Sequence, residues 1–275
     1  MAVVLAGALM HAVWNVLVRS ASDKFLNTSL VVGGAGALTA CGLPFAPVPA
    51  VESWPYLGAS VLIHVAYFSL VALSYRDADL SFVYPLMRGS APAFSAIFVA
   101  ILVHESPSPS GWIGVFLVSG GILLLANDSW RSGSLRLTPM VVALANAGVI
   151  VTYTLIDGVG VRLSGHPFSY TGWMFFLTAF PLLIASFARK GRGAARNIRL
   201  NWGRGLVGGA CTLSSYALAL WAMTHAPIAL VAALRETSVV FGTLIAACFL
   251  KESVTPMRYL SVFIITAGAI AIKVS

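Results

Sequence analysis

Ten apolar stretches, each about 20 residues long, follow one another through this sequence with little between them. A helix of that length crosses the hydrocarbon of a bilayer, where only helices and closed barrels satisfy every backbone donor and acceptor. The stretches run from Ala2 to Arg19, Asn27 to Phe45, Trp54 to Tyr75, Leu80 to Val103, Gly111 to Asn127, Thr138 to Gly160, Phe168 to Ala188, Gly203 to Thr224, Ile228 to Leu250 and Met257 to Ile272. No basic n-region precedes the first and nine more follow it, so it is expected to be a retained span and not a cleaved signal. With 59% hydrophobic and 9% charged residues, the chain cannot cover itself with polar surface as a soluble domain does, at about 25% charged. The net charge of +8 is spread over loops, so no basic face for nucleic acid is available.

The second half repeats the first. Arg88 and Arg235 lie 147 residues apart inside apolar stretches, and the same offset carries Glu105 onto Glu252, Ser106 onto Ser253, Pro109 onto Pro256 and Gly121 onto Gly268. An arginine in the hydrocarbon costs roughly 2.5 to 3.5 kcal/mol even on lenient scales, so two at matched positions point to a site. The expected units are residues 1–130 and 131–275, five helices each. Because five is odd, the units lie in the membrane with opposite orientation, as an inverted repeat. Loop charges agree: loops after odd-numbered stretches hold thirteen cations (Arg19, Lys24, Arg76, Arg131, Arg136, Arg189, Lys190, Arg192, Arg196, Arg199, Arg204, Lys251 and Arg258), and the even loops and tail hold two, Arg162 and Lys273. The positive-inside rule puts odd loops in the cytoplasm and both termini outside. The fold expected is all-α: ten transmembrane helices in two inverted five-helix repeats around a central cavity.

The segments HESPSPSG at His104 to Gly111, KESVTPMR at Lys251 to Arg258 and YTLIDGVGVR at Tyr153 to Arg162 resemble the paired EamA repeats of the drug/metabolite transporter superfamily, over essentially the whole chain. The resemblance implies a multi-pass protein of the bacterial inner membrane that exports small amphipathic metabolites, among them aromatic and neutral amino acids. It also implies cytoplasmic termini, which the loop charges oppose.

Polar and aromatic residues within the stretches mark the candidate cavity, because polar groups cannot face lipid cheaply. His11, Trp14 and Asn15 share a helix face at i, i+3 and i+4, as do His64 with Tyr67, Tyr84 with Arg88, and Tyr153 with Asp157. Trp173, Tyr216, Arg235 and Glu236 complete the substrate-binding set. Trp54, Trp112, Trp130 and Trp202, near stretch ends, read as interfacial anchors. Arg88 and Arg235 read either as carboxylate binders or as members of a buried ion pair. Glu105 reads as a structural residue at a helix end, and Gly33, Gly34, Gly36, Gly120, Gly121, Gly205 and Gly209 as close-packing positions. Pro85 and Pro92 flank Arg88, whereas Ala232 and Val239 stand at the matched positions. The fourth helix is therefore expected to bend as a hinge and the ninth to stay straight.

An arginine for a carboxylate, an acid for an ammonium and aromatic walls fit a zwitterion, so the leading function is secondary transport of aromatic or neutral amino acids by alternating access. A carrier of cationic drugs or nucleoside-like metabolites would need Glu236 or Asp157 but not Arg88, and a lipid-linked flippase would need a polar path open to lipid. No catalytic or metal-binding constellation, dinucleotide motif or P-loop is present in the sequence, so no enzyme, cofactor or metal is expected. The expected partners are a small amino-acid-like substrate, membrane lipid and protons as coupling ion, with the chain a monomer and no nucleic acid involved.

Overall fold

Proline, glycine and polar caps set where the helices begin and end. The computed structural model describes the chain except residues 20, 22, 78–79, 131–136 and 250–254, and at 19, 71–77, 80–85, 125–130, 137–140 and 246–249 it describes the backbone alone. The described residues form α1 (Ala2–Arg19), α2 (Lys24–Gly42), α3 (Trp54–Asp77), α4 (Leu80–Phe98), α5 (Pro109–Trp130), α6 (Leu137–Leu163), α7 (Pro167–Lys190), α8 (Arg192–Met223), α9 (Ile228–Arg235), α10 (Ser238–Phe249) and α11 (Pro256–Lys273), with no strand among them. Asp23 caps α2 by accepting from the Leu26 N–H at 3.0 Å, and Thr255 caps α11 through the Arg258 N–H at 3.3 Å. Pro109, Pro167 and Pro256 open α5, α7 and α11, where a missing N–H costs nothing. Seven of the described helices are long and apolar enough to cross a membrane, and the shorter Ala2–Val18 and Pro109–Leu124 are apolar too. The protein is an all-helical, multi-pass membrane protein.

Packing follows a pattern of pairs. Helix α1 lies on α8 and α3 on α6; α2 lies on α8 and α3 on α7; α4 lies on α6 and α1 on α10. Three further contacts, α2 with α7, α4 with α9 and α5 with α11, join the N-terminal helices to the C-terminal ones. Glycines set the closest approaches. A Cβ on Gly34 would land 2.6 Å from the carbonyl carbon of Gly205, and one on Gly209 would land 2.6 Å from that of Gly34, so α2 and α8 touch backbone to backbone. Gly121 meets Ile265 of α11 and Gly36 meets Ala179 of α7, but Gly120 faces away from the bundle with nothing within 4 Å.

Three elements depart from the expected spans. The basic stretch from Arg192 is helical, not a loop: α8 begins there and kinks at Asn201 (φ −122°, ψ 15°) before it enters the bundle. Its first nine residues, RGAARNIRL, bury Ala194 and expose Arg192, Arg196 and Arg199, the pattern of a helix lying along an interface. The ninth stretch, expected straight, is interrupted at Glu236 and Thr237, where the backbone bonds shorten to Glu236 N–H on Ala233 and Thr237 N–H on Leu234. The Thr237 hydroxyl also donates to the Leu234 carbonyl at 2.7 Å, drawing the helix off its regular ladder. The fourth stretch, where a bend beside Arg88 is expected, is α-helical from Leu80 through Pro92 to Phe98. It loosens only at residues 99–103, a π-helical turn closed by a left-handed His104 (φ 58°). The side chain of Pro85 lies outside the described residues.

Loops gather at two ends. At one, the Ala50 N–H donates to the Ser164 carbonyl at 3.1 Å, and Arg162 grips Glu105 with both terminal nitrogens at 2.9 and 3.2 Å. Arg162 also donates from Nε to the Met223 carbonyl at 2.7 Å and from Nη2 to that of Ala226 at 3.1 Å, so one side chain ties three connections together. At the other end Lys190 pairs with Asp23 at 3.2 Å. Partial burial raises the Asp23 carboxyl, but the Leu26 N–H and Lys190 outweigh it and hold the group below its ordinary value. The stability it contributes is therefore present at neutral pH and is lost as pH falls through that lowered value.

Candidate functional site

The bundle holds a small, partly open cavity, tighter in this conformation than a typical small-molecule site. Helix α1 supplies His11 and Trp14, α3 supplies His64, Tyr67 and Phe68, and α6 supplies Tyr153. The C-terminal helices supply Phe175, Thr212, Ser215, Tyr216 and Arg235. The i, i+3 spacing of His11 and Trp14 works as expected: the Trp14 indole N–H donates to His11 Nδ1 at 3.2 Å, which leaves Nε2 to carry the proton of a neutral ring. His64 lies 4.8 Å from Tyr153 and 5.3 Å from Tyr216 between ring centroids, so the wall is largely aromatic.

The two arginines differ in surroundings. Arg88, only 1% exposed, places Nε 2.7 Å from a Glu236 carboxylate oxygen and Nη2 3.4 Å from the Ser238 hydroxyl. This ion pair joins α4 to the break between α9 and α10, and neither member lines the cavity. Arg235 does line it, its guanidinium carbon 4.9 Å above the centre of the Tyr216 ring. Among the described residues no carboxylate lies within ion-pair distance of Arg235. The buried Ser215 hydroxyl, on the same cavity, also lacks a hydrogen-bond partner.

Asp157 is fully buried one layer behind the wall. It accepts from the Tyr170 hydroxyl at 3.0 Å and from Tyr216 by a short bond, and His64 Nδ1 lies 4.0 Å away. His64 Nδ1 is 3.0 Å from the Ser60 carbonyl, which can only accept, so Nδ1 donates there and Nε2 is the open acceptor of the neutral ring.

Of the thirteen expected binding residues, seven therefore line the cavity: His11, Trp14, His64, Tyr67, Tyr153, Tyr216 and Arg235. Arg88 and Glu236 neutralise each other outside it, and Asp157 is taken by tyrosines. The Asn15 amide donates back to the His11 carbonyl at 2.8 Å, a local bond that removes it from the set. Trp173 stands only two turns into α7, where it meets Trp54 at 5.5 Å, because its depth in the helix is less than the apolar run implied. The side chain of Tyr84 lies outside the described residues. Sequence reasoning missed Phe68, Thr212, Ser215 and Phe175. Phe68 at i+4 from His64 and Thr212 at i−4 from Tyr216 were open to the same spacing rule. Phe175, an apolar residue among others in α7, carried no signal.

Comparison with known proteins adds three findings. No curated protein matches the sequence. A solved structure titled only "Crystal structure of protein" superposes with a TM-score of 0.75 over 99% of this chain and 95% of its own, at 17% identity, which shows a shared fold. The sequence profile of the EamA-like transporter family matches residues 137–274, half of the chain. Its members are small-molecule transporters and not enzymes. With the all-helical fold and the aromatic cavity already described, that match places the chain in the EamA-like transporter family, within the drug/metabolite transporter superfamily.

Proposed function

We propose that this transporter carries small amphipathic metabolites that bear a carboxylate beside an apolar body, with aromatic or neutral amino acids as the leading substrates. The observation that carries the reading is Arg235: a buried cation in an aromatic cavity, with no acidic partner among the described residues. Ser215 adds a second donor lacking an acceptor, and one carboxylate would satisfy both. Tyr67, Tyr153 and His64 offer faces to an aromatic side chain or an ammonium. A cationic drug is less well served, because Glu236 is paired with Arg88 and Asp157 is buried behind the wall, its oxygens taken by two tyrosine hydroxyls.

Transport proceeds by alternating access between two inverted five-helix halves. Support comes from the pairs in the fold: exchanging α1 with α6, α2 with α7, α3 with α8, α4 with the α9 and α10 pair, and α5 with α11 turns the packing of α1 on α8 into α6 on α3, and of α4 on α6 into the α9 and α10 pair on α1. Export is the direction proposed, by analogy with the resembling amino acid exporters.

The test is purified protein in liposomes, challenged with labelled amino acids with and without an imposed proton gradient. Arg235→Gln should weaken substrate binding about 10- to 100-fold, since a charge-assisted bond contributes roughly 1.5 to 3 kcal/mol. Transport of every amino acid by the variant at the wild-type rate would end the carboxylate reading. Orientation is checked separately. The loop charges place Ser275 outside and Gly193 in the cytoplasm, so a reporter active only outside should light up when fused after Ser275 and stay dark when inserted at Gly193. The opposite pattern would establish cytoplasmic termini.

A further inference from the structure

We propose that the same cavity also takes aromatic monocarboxylates lacking an amine, and that each binds together with one proton held by the His64–Asp157 pair. This rests on the reading of Arg235 as the carboxylate site. Among the described residues, the buried charges at the centre are Arg88 and Arg235 against Glu236 and Asp157. A zwitterion preserves that balance because it brings its own ammonium. A plain carboxylate on Arg235 leaves one negative charge in excess within a low-dielectric interior, which is costly unless a proton follows.

Geometry names where that proton goes. Glu236 is held at 2.7 Å by Arg88, whereas Asp157 has no cation partner but two hydroxyls and, at 4.0 Å, an imidazole. The groups facing Asp157 are His64 from α3, Tyr170 from α7 and Tyr216 from α8, with Tyr153 on its own helix, Tyr67 against the Tyr153 ring and Arg235 of α9 beyond the Tyr216 ring. Among them an imidazole is the group that ordinarily exchanges a proton near neutrality, and His64 stands 4.0 Å from the Asp157 carboxylate. His64 lines the cavity, so it joins bulk water to the buried acid when the cavity opens. The step balances: one proton adds to the Asp157 carboxylate or to His64 Nε2, and no other bond breaks. Tyr216 links the two events, with its ring under Arg235 and its hydroxyl on Asp157.

Calorimetry on the purified full-length protein tests this, with L-phenylalanine and 3-phenylpropanoate as probes in two buffers of different ionisation enthalpy. Between roughly pH 6 and pH 9, 3-phenylpropanoate should bind with an uptake that peaks near one proton per ligand, and phenylalanine with near none. In the range of full uptake, 3-phenylpropanoate affinity should fall about tenfold for each pH unit, and Asp157→Asn should abolish both the uptake and the slope. Binding of 3-phenylpropanoate without proton uptake overturns the inference and leaves the carboxylate site standing. So does uptake that persists in Asp157→Asn, since the proton then does not answer to the Asp157 charge. Failure of 3-phenylpropanoate to bind while phenylalanine binds restricts the site to zwitterions and also overturns it. Binding of neither probe removes the reading of Arg235 as well. The wild-type measurement stands alone if Asp157→Asn does not fold.

Discussion

Glu236→Gln is expected to destabilise the folded protein by about 3 to 5 kcal/mol, because it removes the carboxylate charge that the buried Arg88 guanidinium holds at 2.7 Å. The pair is buried on both sides, at 1% and 6% side-chain exposure, so solvent does not screen the loss. Arg88→Met should cost a similar amount for the opposite reason. The double variant Arg88→Met with Glu236→Leu should recover most of it, since two apolar groups leave no uncompensated charge. Denaturation in detergent, read by tryptophan fluorescence, measures all three. Single variants as stable as wild type would show that the pair does not hold α4 to the α9–α10 break. The experiment also separates the arginines, because Arg235→Gln should impair binding with a much smaller effect on stability.

Gly34→Ala should cost about 1 to 3 kcal/mol through overpacking, and Gly34→Val more. The added carbon would meet the Gly205 peptide, within 2.6 Å of its carbonyl carbon, and a peptide cannot rotate aside as a side chain can. Gly120→Ala is the matching control: nothing lies within 4 Å of its Cβ position, so it should be neutral or stabilising by up to about 1 kcal/mol from helix propensity. Thermal midpoints of the two variants in the same detergent decide it. Equal midpoints would mean that the contact of α2 with α8 can slide.

The all-helical, multi-pass character was legible because a bilayer demands long apolar runs and the breakers between them are proline and glycine. The interruption at Glu236 and Thr237 was legible in principle, since Glu236, Thr237 and Ser238 put three polar residues in a row where hydrocarbon was expected. The proline rule drew attention to the fourth helix instead, yet a proline in a packed helix loses one backbone bond and need not bend it. Spacing within one helix found His11 with Trp14 and His64 with Tyr67, because such neighbours depend only on helix geometry. It could not pair Arg88 with Glu236 or Asp157 with Tyr170 and Tyr216. Those partners come from other helices, and their distances are set by rotations about each axis that the sequence does not state.

If the halves rock as proposed, Arg162 sets a barrier on one side of the membrane. Its guanidinium spans Glu105 and the carbonyls of Met223 and Ala226, so separating that end of the bundle breaks four bonds together, and their loss belongs to the activation barrier for opening there. The pair is partly open to water, at 34% and 23% side-chain exposure, and salt on that side weakens it. The Lys190–Asp23 ion pair at the opposite end is more exposed, at 53% and 34%. Under the proposed mechanism, salt on the Arg162 side should speed opening there, which makes turnover in oriented vesicles sensitive to the salt of that compartment even where affinity is not.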